Sequence, residues 1–431
     1  MDSTKTILSS SIADPAGMTL SERILVRALS TIQDAKINVI LPSGHQTLVG
    51  QGVGEAGVDQ VELHVLEPSA VRRMLLGGAM AFAETYIDGS WKTDDLSTLL
   101  RVLSRNQRAM GRLMRGASRV LRAMDHAAHR LRSNTLDNAR RNIQAHYDLS
   151  NDLYATFLDP TLTYSAAIFE SPDEDLHSAQ LRKIDRLIAR LDPKAGDHVL
   201  EIGSGWGACA IRLAQVRGCR VTSLTLSEAQ AEEARKRVRA AGVADLVEIR
   251  LQDYREVSET FDHVLSVEMI EAVGHEFLPV YVETVQRRLK PGGRFVLQAI
   301  TIPDERYKSY MKSSDFIRKH IFPGGHLPSP DLLRGLVRRH AGWQCVDMHE
   351  FGRDYAETLR RWRDAFAANL AKVKTLGFDE RFIRKWFYYL AYCEAGFDNQ
   401  LIHVRQFTFQ KESSERRKPF QNAFRHSETA G

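Results

Sequence analysis

From about Asp192 the chain alternates short apolar runs with stretches whose apolar positions recur every three or four residues, the pattern of strands and helices in turn. Val199, Leu200 and Ile202 make a buried strand that runs into a turn holding Gly203, Gly205 and Gly207, and Ala208 to Gln215 reads as the next helix. The spacing then predicts strands over Arg220 to Thr225, Leu246 to Arg250, Phe261 to Glu268 and Arg294 to Thr301. Helices are expected over Ser227 to Ala241 and Phe277 to Leu289, and a turn at Pro291-Gly292-Gly293. Trp343 to His349 and Val404 to Gln410 are candidate closing strands. This alternation defines an α/β fold with a Rossmann-like, doubly wound sheet.

Upstream the pattern changes. Residues 1–20 are rich in Ser, Thr and Ala and are expected to be loosely ordered. Residues 21–100 read as a small α+β domain: Lys36 to Leu41 and Gln46 to Val49 flank Pro42-Ser43-Gly44 as a hairpin, Val61 to Leu66 is a further strand, and a helix starts near Ser69. A long helical stretch is expected from Arg101 to Leu131, inside a linker spanning 101–135. Its apolar stripe (Leu113, Ala117, Val120, Leu121, Met124, Ala128, Leu131) is bordered by Arg112, Arg115, Arg119, Arg122 and Arg130. Such a helix either lies on an anionic lipid surface, each basic residue contributing on the order of 1 kcal/mol, or packs on its own protein with a solvated basic rim. Residues 136–411 form the second, larger unit, with an aromatic-rich insertion over about 303–400 that could roof an apolar pocket, and 412–431 a flexible tail.

Composition narrows the class. The 431 residues are 43% hydrophobic, enough at roughly 150 residues per domain for two or three units. No basic segment leads into an apolar core at the start, and no apolar run approaches the roughly 20 residues of a membrane span, so neither secretion nor spanning is expected. Cys209, Cys219, Cys345 and Cys393 are scattered, which supports neither a metal site nor a disulfide framework and suits reduced thiols in the cytoplasm. The net charge of +5 is mild but uneven, because between Arg101 and Arg141 the acids are limited to Asp125 and Asp137.

The glycine turn carries the first chemical signal. Glu201 precedes the first glycine, whereas a dinucleotide fingerprint places its acid about twenty residues later. A carboxylate beside the turn suits a ligand with a cationic amino-acid end, which favours S-adenosylmethionine (SAM) over NAD.

The run His146-Tyr147-Asp148 with Asn151, then Leu158-Asp159 and Tyr164-Ser165, is followed in order by E-I-G-S-G-W-G, T-L-S-E-A-Q, L-Q-D-Y-R, V-E-M-I-E-A-V-G, L-K-P-G-G, F-P-G-G-H-L-P-S and Y-Y-L-A-Y-C-E-A-G-F. Over roughly residues 140–410 this set resembles the cyclopropane-fatty-acid synthases, which are class I SAM-dependent methyltransferases. The N-terminal hairpin region with Gly89-Ser90-Trp91 resembles the lipid-facing domain of the longer bacterial members. The resemblance implies transfer of the SAM methyl to a cis double bond in a phospholipid acyl chain, then proton loss and ring closure. A carbocation on that path needs a dry pocket and one base close to the new methyl group.

In the family the base is bound bicarbonate. By resemblance its cradle here comprises Glu271, the backbone at Ile300 and the Tyr389 hydroxyl, with His146 lining the site. Two positions depart from the pattern: Ala166 stands where well-known members carry cysteine, and Gln298 where they carry histidine. Gln298 can hydrogen-bond an oxyanion through its amide but cannot shuttle a proton. For SAM the resemblance points to Glu201, Gly203, Gly205 and Gly207, with Tyr164 and Ser165 closing over the methionine end. Thr225 and Gln230 approach the ribose side, and Gln252 and Asp253 the adenine. Ser227 with Gln230 also reads as a capping box, which gives Gln230 a structural alternative. Tyr388, next to Tyr389 on a helix, is expected to face elsewhere.

The leading expectation is therefore a cyclopropane-fatty-acyl-phospholipid synthase, a cytoplasmic enzyme held peripherally at an anionic membrane surface. A fatty-acid C-methyltransferase giving a methyl-branched or methylene product and a small-molecule N-methyltransferase are the alternatives. No base-reading element is found, so nucleic acid is not an expected partner; a homodimer is left open.

Overall fold

The structure is a computed structural model that describes residues 17–51, 59–111, 150–312 and 314–411. The N-terminal part begins with α1 (Leu20–Leu29), whose Thr19 and Glu22 form a reciprocal capping box. Strands β1 (Ala35–Ile40) and β2 (Gln46–Val49) form the expected hairpin, and β3 (Asp59–Val65) lies parallel to β1 on its other side. Helix α2 (Pro68–Ile87), strand β4 (Trp91–Lys92) and helix α3 (Leu96–Arg105) follow, giving a four-stranded sheet of order β2-β1-β3-β4.

One expectation is corrected here. Arg101 does not open a helix; it lies in the second half of α3, which Asp95 caps six residues earlier, so a boundary between 100 and 101 would cut a packed helix. The chain leaves the helix at Asn106, whose side-chain amide bonds both backbone groups of Gln33. The apolar stripe from Leu113 and its arginines, and His146, lie outside the described residues.

The second part has α4 (Asn151–Tyr154), α5 (Leu176–Leu191), β5 (His198–Ile202), α6 (Ala208–Arg217), β6 (Arg220–Thr225), α7 (Glu228–Ala240), β7 (Val247–Leu251), β8 (His263–Val267), α8 (Leu278–Arg288) and β9 (Arg294–Thr301). Then come α9 (Asp304–Met311), α10 (Phe316–His320), α11 (Pro330–Ala341), β10 (Gln344–Glu350), α12 (Gly352–Ala368), α13 (Leu370–Thr375), α14 (Glu380–Asp398) and β11 (His403–Gln410). The seven-stranded sheet runs β10-β11-β9-β8-β5-β6-β7, with β11 antiparallel to both neighbours. Val199, Val221 and Leu265 pack on α5, α6 and α7, whereas Leu200, Ile202 and Val264 face α8 and α11. Burial on both faces is why these strands read as near-continuous apolar runs.

The span 303–400 is not a single insertion, because β10 joins the sheet and α11 packs beneath it. The extra material is two pieces, α9–α10 and α12–α14. Their aromatics do not line an open roof: Trp362, Phe366 and Trp386 are fully buried in one core with Trp91 and the N-terminal sheet. Burying each such side chain contributes on the order of 3 kcal/mol. Arg384 on α14 seals the junction, donating to the Tyr86 and Trp91 carbonyls at 2.5 and 2.8 Å.

Candidate active site

A pocket opens at the carboxyl ends of β5, β6, β7 and β8, where the strand order reverses on either side of β5. Ligands of doubly wound sheets bind at such switch points. Gly203 has φ +99° and a Cβ there would come within 3.1 Å of the Met269 side chain, so the turn demands glycine at that position. Gly205 also lines the pocket. Gly207 is not among the lining residues: it caps α6 with φ +90°, and because a Cβ there would meet Ala234 only at an ordinary 3.4 Å, it is the left-handed backbone that asks for glycine.

Glu201 lies on the α5–α6 side of the sheet, almost fully buried, and accepts from Ser223 Oγ at 2.5 Å. Burial pushes its carboxyl up to about 7, against the pull of that hydroxyl and of Lys183. Lys183, on α5, is fully buried and donates to Ser165 Oγ at 2.7 Å. Burial lowers its pKa while Glu268, Asp159 and Glu201 oppose the shift. Gln180 on the same helix holds the Ser165 carbonyl at 2.8 Å, so α5 anchors the Tyr164-Ser165 loop at two points. The Tyr164 hydroxyl meets that of Tyr389 at 2.7 Å, while Tyr388 faces Tyr86 and Phe316 as expected.

On the ribose side only half of the capping box forms. Ser227 Oγ accepts from the Gln230 N–H, but the Gln230 side chain turns to Thr225 and accepts its hydroxyl at 2.9 Å. Both line the pocket, as do Gln252 and Asp253. Asp253 is already held by Arg255 through two contacts of 2.8 and 2.7 Å.

The expected bicarbonate cradle is arranged differently. Glu271 Oε1 itself accepts the Ile300 N–H at 2.5 Å. Burial and the neighbouring Glu268 charge push Glu271 up to about 8, and among the described residues its Oε2 is buried with no hydrogen-bond partner. Gln298, fully buried, donates to Glu268 Oε1 at 2.7 Å, and its own carbonyl accepts from Gln406 at 3.0 Å. The Ala166 N–H reaches the same Glu268 oxygen at 3.0 Å, and Tyr355 donates to Oε2 at 2.7 Å. The donors at the two departing positions are thus taken by a carboxylate of the chain.

Lys183, Glu268 and Tyr355 were not among the expected site residues. Lys183 had a signal, since it falls on the apolar stripe of α5 with Ile184, Leu187 and Leu191. Glu268 had one too, as an acid directly after a buried strand. Tyr355 had none, because its approach depends on how α12 folds back.

Fold and pocket define a class I SAM-dependent methyltransferase. Residues 134–407 match the family described as mycolic acid cyclopropane synthetase, and the chain belongs to that cyclopropane synthase family. It is 42% identical over 382 residues to tuberculostearic acid methyltransferase UfaA1 of Mycobacterium tuberculosis, covering 84% of this chain and 86% of the relative. To the cyclopropane-fatty-acyl-phospholipid synthase of Escherichia coli it is 33% identical over 371 residues, covering 85% and 92%. A crystal structure of mycolic acid cyclopropane synthase CmaA1 complexed with SAH and CTAB superposes with a TM-score of 0.59 at 33% identity, covering 63% of this chain and 98% of the other.

Proposed function

We propose that this enzyme transfers the SAM methyl group to a cis double bond in a phospholipid acyl chain. The observation that carries the reading is that two residues lining the glycine-turn pocket, Glu268 and Tyr164, are hydrogen-bonded to the buried phenols of Tyr355 and Tyr389. When bound, SAM supplies an electrophilic methyl group. The residues present suit it: Glu201 can face the cationic amino-acid end, Gln230 and Thr225 the ribose, and Gln252 the adenine. Tyr164 and Ser165, fixed by Lys183 and Gln180, hold the loop over the methionine end. Tyr355 and Tyr389, buried behind Glu268 and Tyr164, would help to keep water from a carbocation on the acyl chain.

Proton loss from that carbocation gives a ring or a methylene chain, and a saturated methyl branch requires a hydride donor in addition. The ring-closed product is the one the E. coli relative's name describes. A methyl-branched or methylene product is favoured by the higher identity to a relative named for tuberculostearic acid methylation and by the absence of histidine and cysteine at Gln298 and Ala166. Among the described residues no helix is long and apolar enough to cross a membrane. Leu20 and Ile24, one turn apart on α1, and Leu48 and Leu76 are exposed, which leaves apolar side chains of the N-terminal part available to lipid. The arginine-rich stretch beyond Arg101 supports an anionic surface.

Purified protein incubated with methyl-labelled SAM and vesicles of a cis-unsaturated phospholipid should give labelled fatty acids by mass spectrometry. A chain that resists hydrogenation as an alkene but opens as a ring is the cyclopropane; a reducible one is the methylene product, which becomes a saturated methyl branch only if a hydride donor is supplied. Label recovered only in small amines would overturn the lipid reading.

A further inference from the structure

We infer that Glu268 is the general base of this enzyme, standing in for the bound bicarbonate that the family resemblance implies. The inference rests on the alkene-methylation reading above and goes beyond it in naming the proton acceptor.

The geometry points there from three sides. A carboxylate and bicarbonate present the same pair of oxygens to hydrogen-bond donors, and the donors at the departing positions converge on one carboxylate. Gln298 and the Ala166 N–H serve Oε1, and Tyr355 serves Oε2. Gln298 is held in the donating orientation because Gln406, its register partner across β9 and β11, occupies its carbonyl. Glu268 adopts φ +48°, an unfavourable backbone conformation for a side-chain-bearing residue, and its own N–H donates to the Gln298 carbonyl oxygen of the backbone at 2.8 Å. That posture turns the carboxylate into the pocket it shares with Gly203 and Ser165.

The neighbouring acid sorts the charge. Glu271 accepts one N–H and has a buried oxygen with no partner, whereas Glu268 accepts three donors. Burial raises both carboxyls, but the three donors on Glu268 oppose that rise, so a negative charge shared by the pair is favoured on Glu268 and a proton on Glu271. Glu268 is then the group competent to accept a proton. In the step, the methyl carbon leaves sulfur, whose bond electrons remain with it, and bonds to one alkene carbon. Glu268 takes one proton from the resulting acyl cation, and the C–H electron pair left behind closes a ring or forms a double bond. The proton passes to water when the products leave.

The test uses the full chain with methyl-labelled SAM and phospholipid vesicles, in buffer purged of carbon dioxide and in the same buffer with added bicarbonate. Wild-type turnover should agree within twofold between the two. Glu268→Gln should lose about 10²–10⁴-fold, the usual span for a lost general base, while binding SAM as the wild type does by calorimetry. Glu268→Gly, which relieves the positive φ, should also be inactive but regain turnover with added formate or bicarbonate that enters the vacated donor set. Wild-type activity that collapses without bicarbonate, or a Glu268→Gln enzyme that keeps its rate, overturns the assignment. Absence of labelled lipid from the wild type in bicarbonate overturns instead the substrate reading, and the assignment with it.

Discussion

The hydroxyls of Tyr164 and Tyr389 lie 2.7 Å apart although 225 residues separate them in the chain. One sits on the loop over the glycine-turn pocket and the other on α14, so a single hydrogen bond ties the cofactor side of the site to the helix that also carries the N-terminal sheet. A buried bond of this kind contributes about 1 kcal/mol. Tyr164→Phe and Tyr389→Phe should each weaken SAM binding about fivefold by calorimetry, and the double variant should be no worse than either single one. Additive losses would show that the two hydroxyls act separately.

Gly203→Ala should lose SAM binding. The new Cβ would stand 3.1 Å from Met269 at φ +99°, a conformation that costs a side-chain-bearing residue about 1–3 kcal/mol. Urea unfolding should show a loss of that order, and the variant should not saturate with SAM at concentrations that saturate the wild type.

Lys183 is a buried cation set among Glu201, Glu268 and Asp159. Lys183→Met keeps much of the side-chain volume but strips the carboxylates of their counter-charge, which for a buried cluster costs about 3–5 kcal/mol. The stability loss should shrink as pH falls, because protonation of Glu201 removes the unpaired charge. A loss independent of pH between 5 and 8 would mean that Lys183 acts through packing alone.

The pH dependence of SAM binding follows from Glu201. Burial raises its pKa from 4.5 to about 7, so the folded protein holds a proton there that the unfolded chain has released. The apo protein therefore loses stability from this group as pH rises from about 4.5 to 7. Binding the cationic end of SAM requires the ionised form. Affinity should thus rise toward tenfold per pH unit below about 7 and level off above it, and Glu201→Gln should flatten the profile. A flat wild-type profile would detach Glu201 from the ligand's charged end.

Much of this protein was legible in its order of residues. The strand ending at Ile202, the glycine turn, the helix capped by Ser227 and the strand over Arg294–Thr301 depend on local burial periodicity and turn chemistry, which neighbouring residues carry. The glycine-turn half of the candidate site was legible for the same reason, since Glu201, Gly203 and Gly205 are contiguous. The start of α3 was missed because Asp95 caps it before the basic run begins, and charge drew the boundary too late. For Gly207 the sequence shows a glycine in the turn but not that its backbone takes φ +90° as the cap of α6.

The order of residues is enough for the doubly wound sheet, the family and the residue types at the switch point. Which acid receives the donors depends on packing. Gln298, Ala166 and Tyr355 come from a sheet strand, a loop and a distant helix, and nothing in their spacing shows that they converge on Glu268 while Glu271 keeps an unpartnered oxygen. Hydrogen bonds are short-ranged and directional, so their pairing is fixed by where packing leaves each backbone, and chain order does not encode that distance.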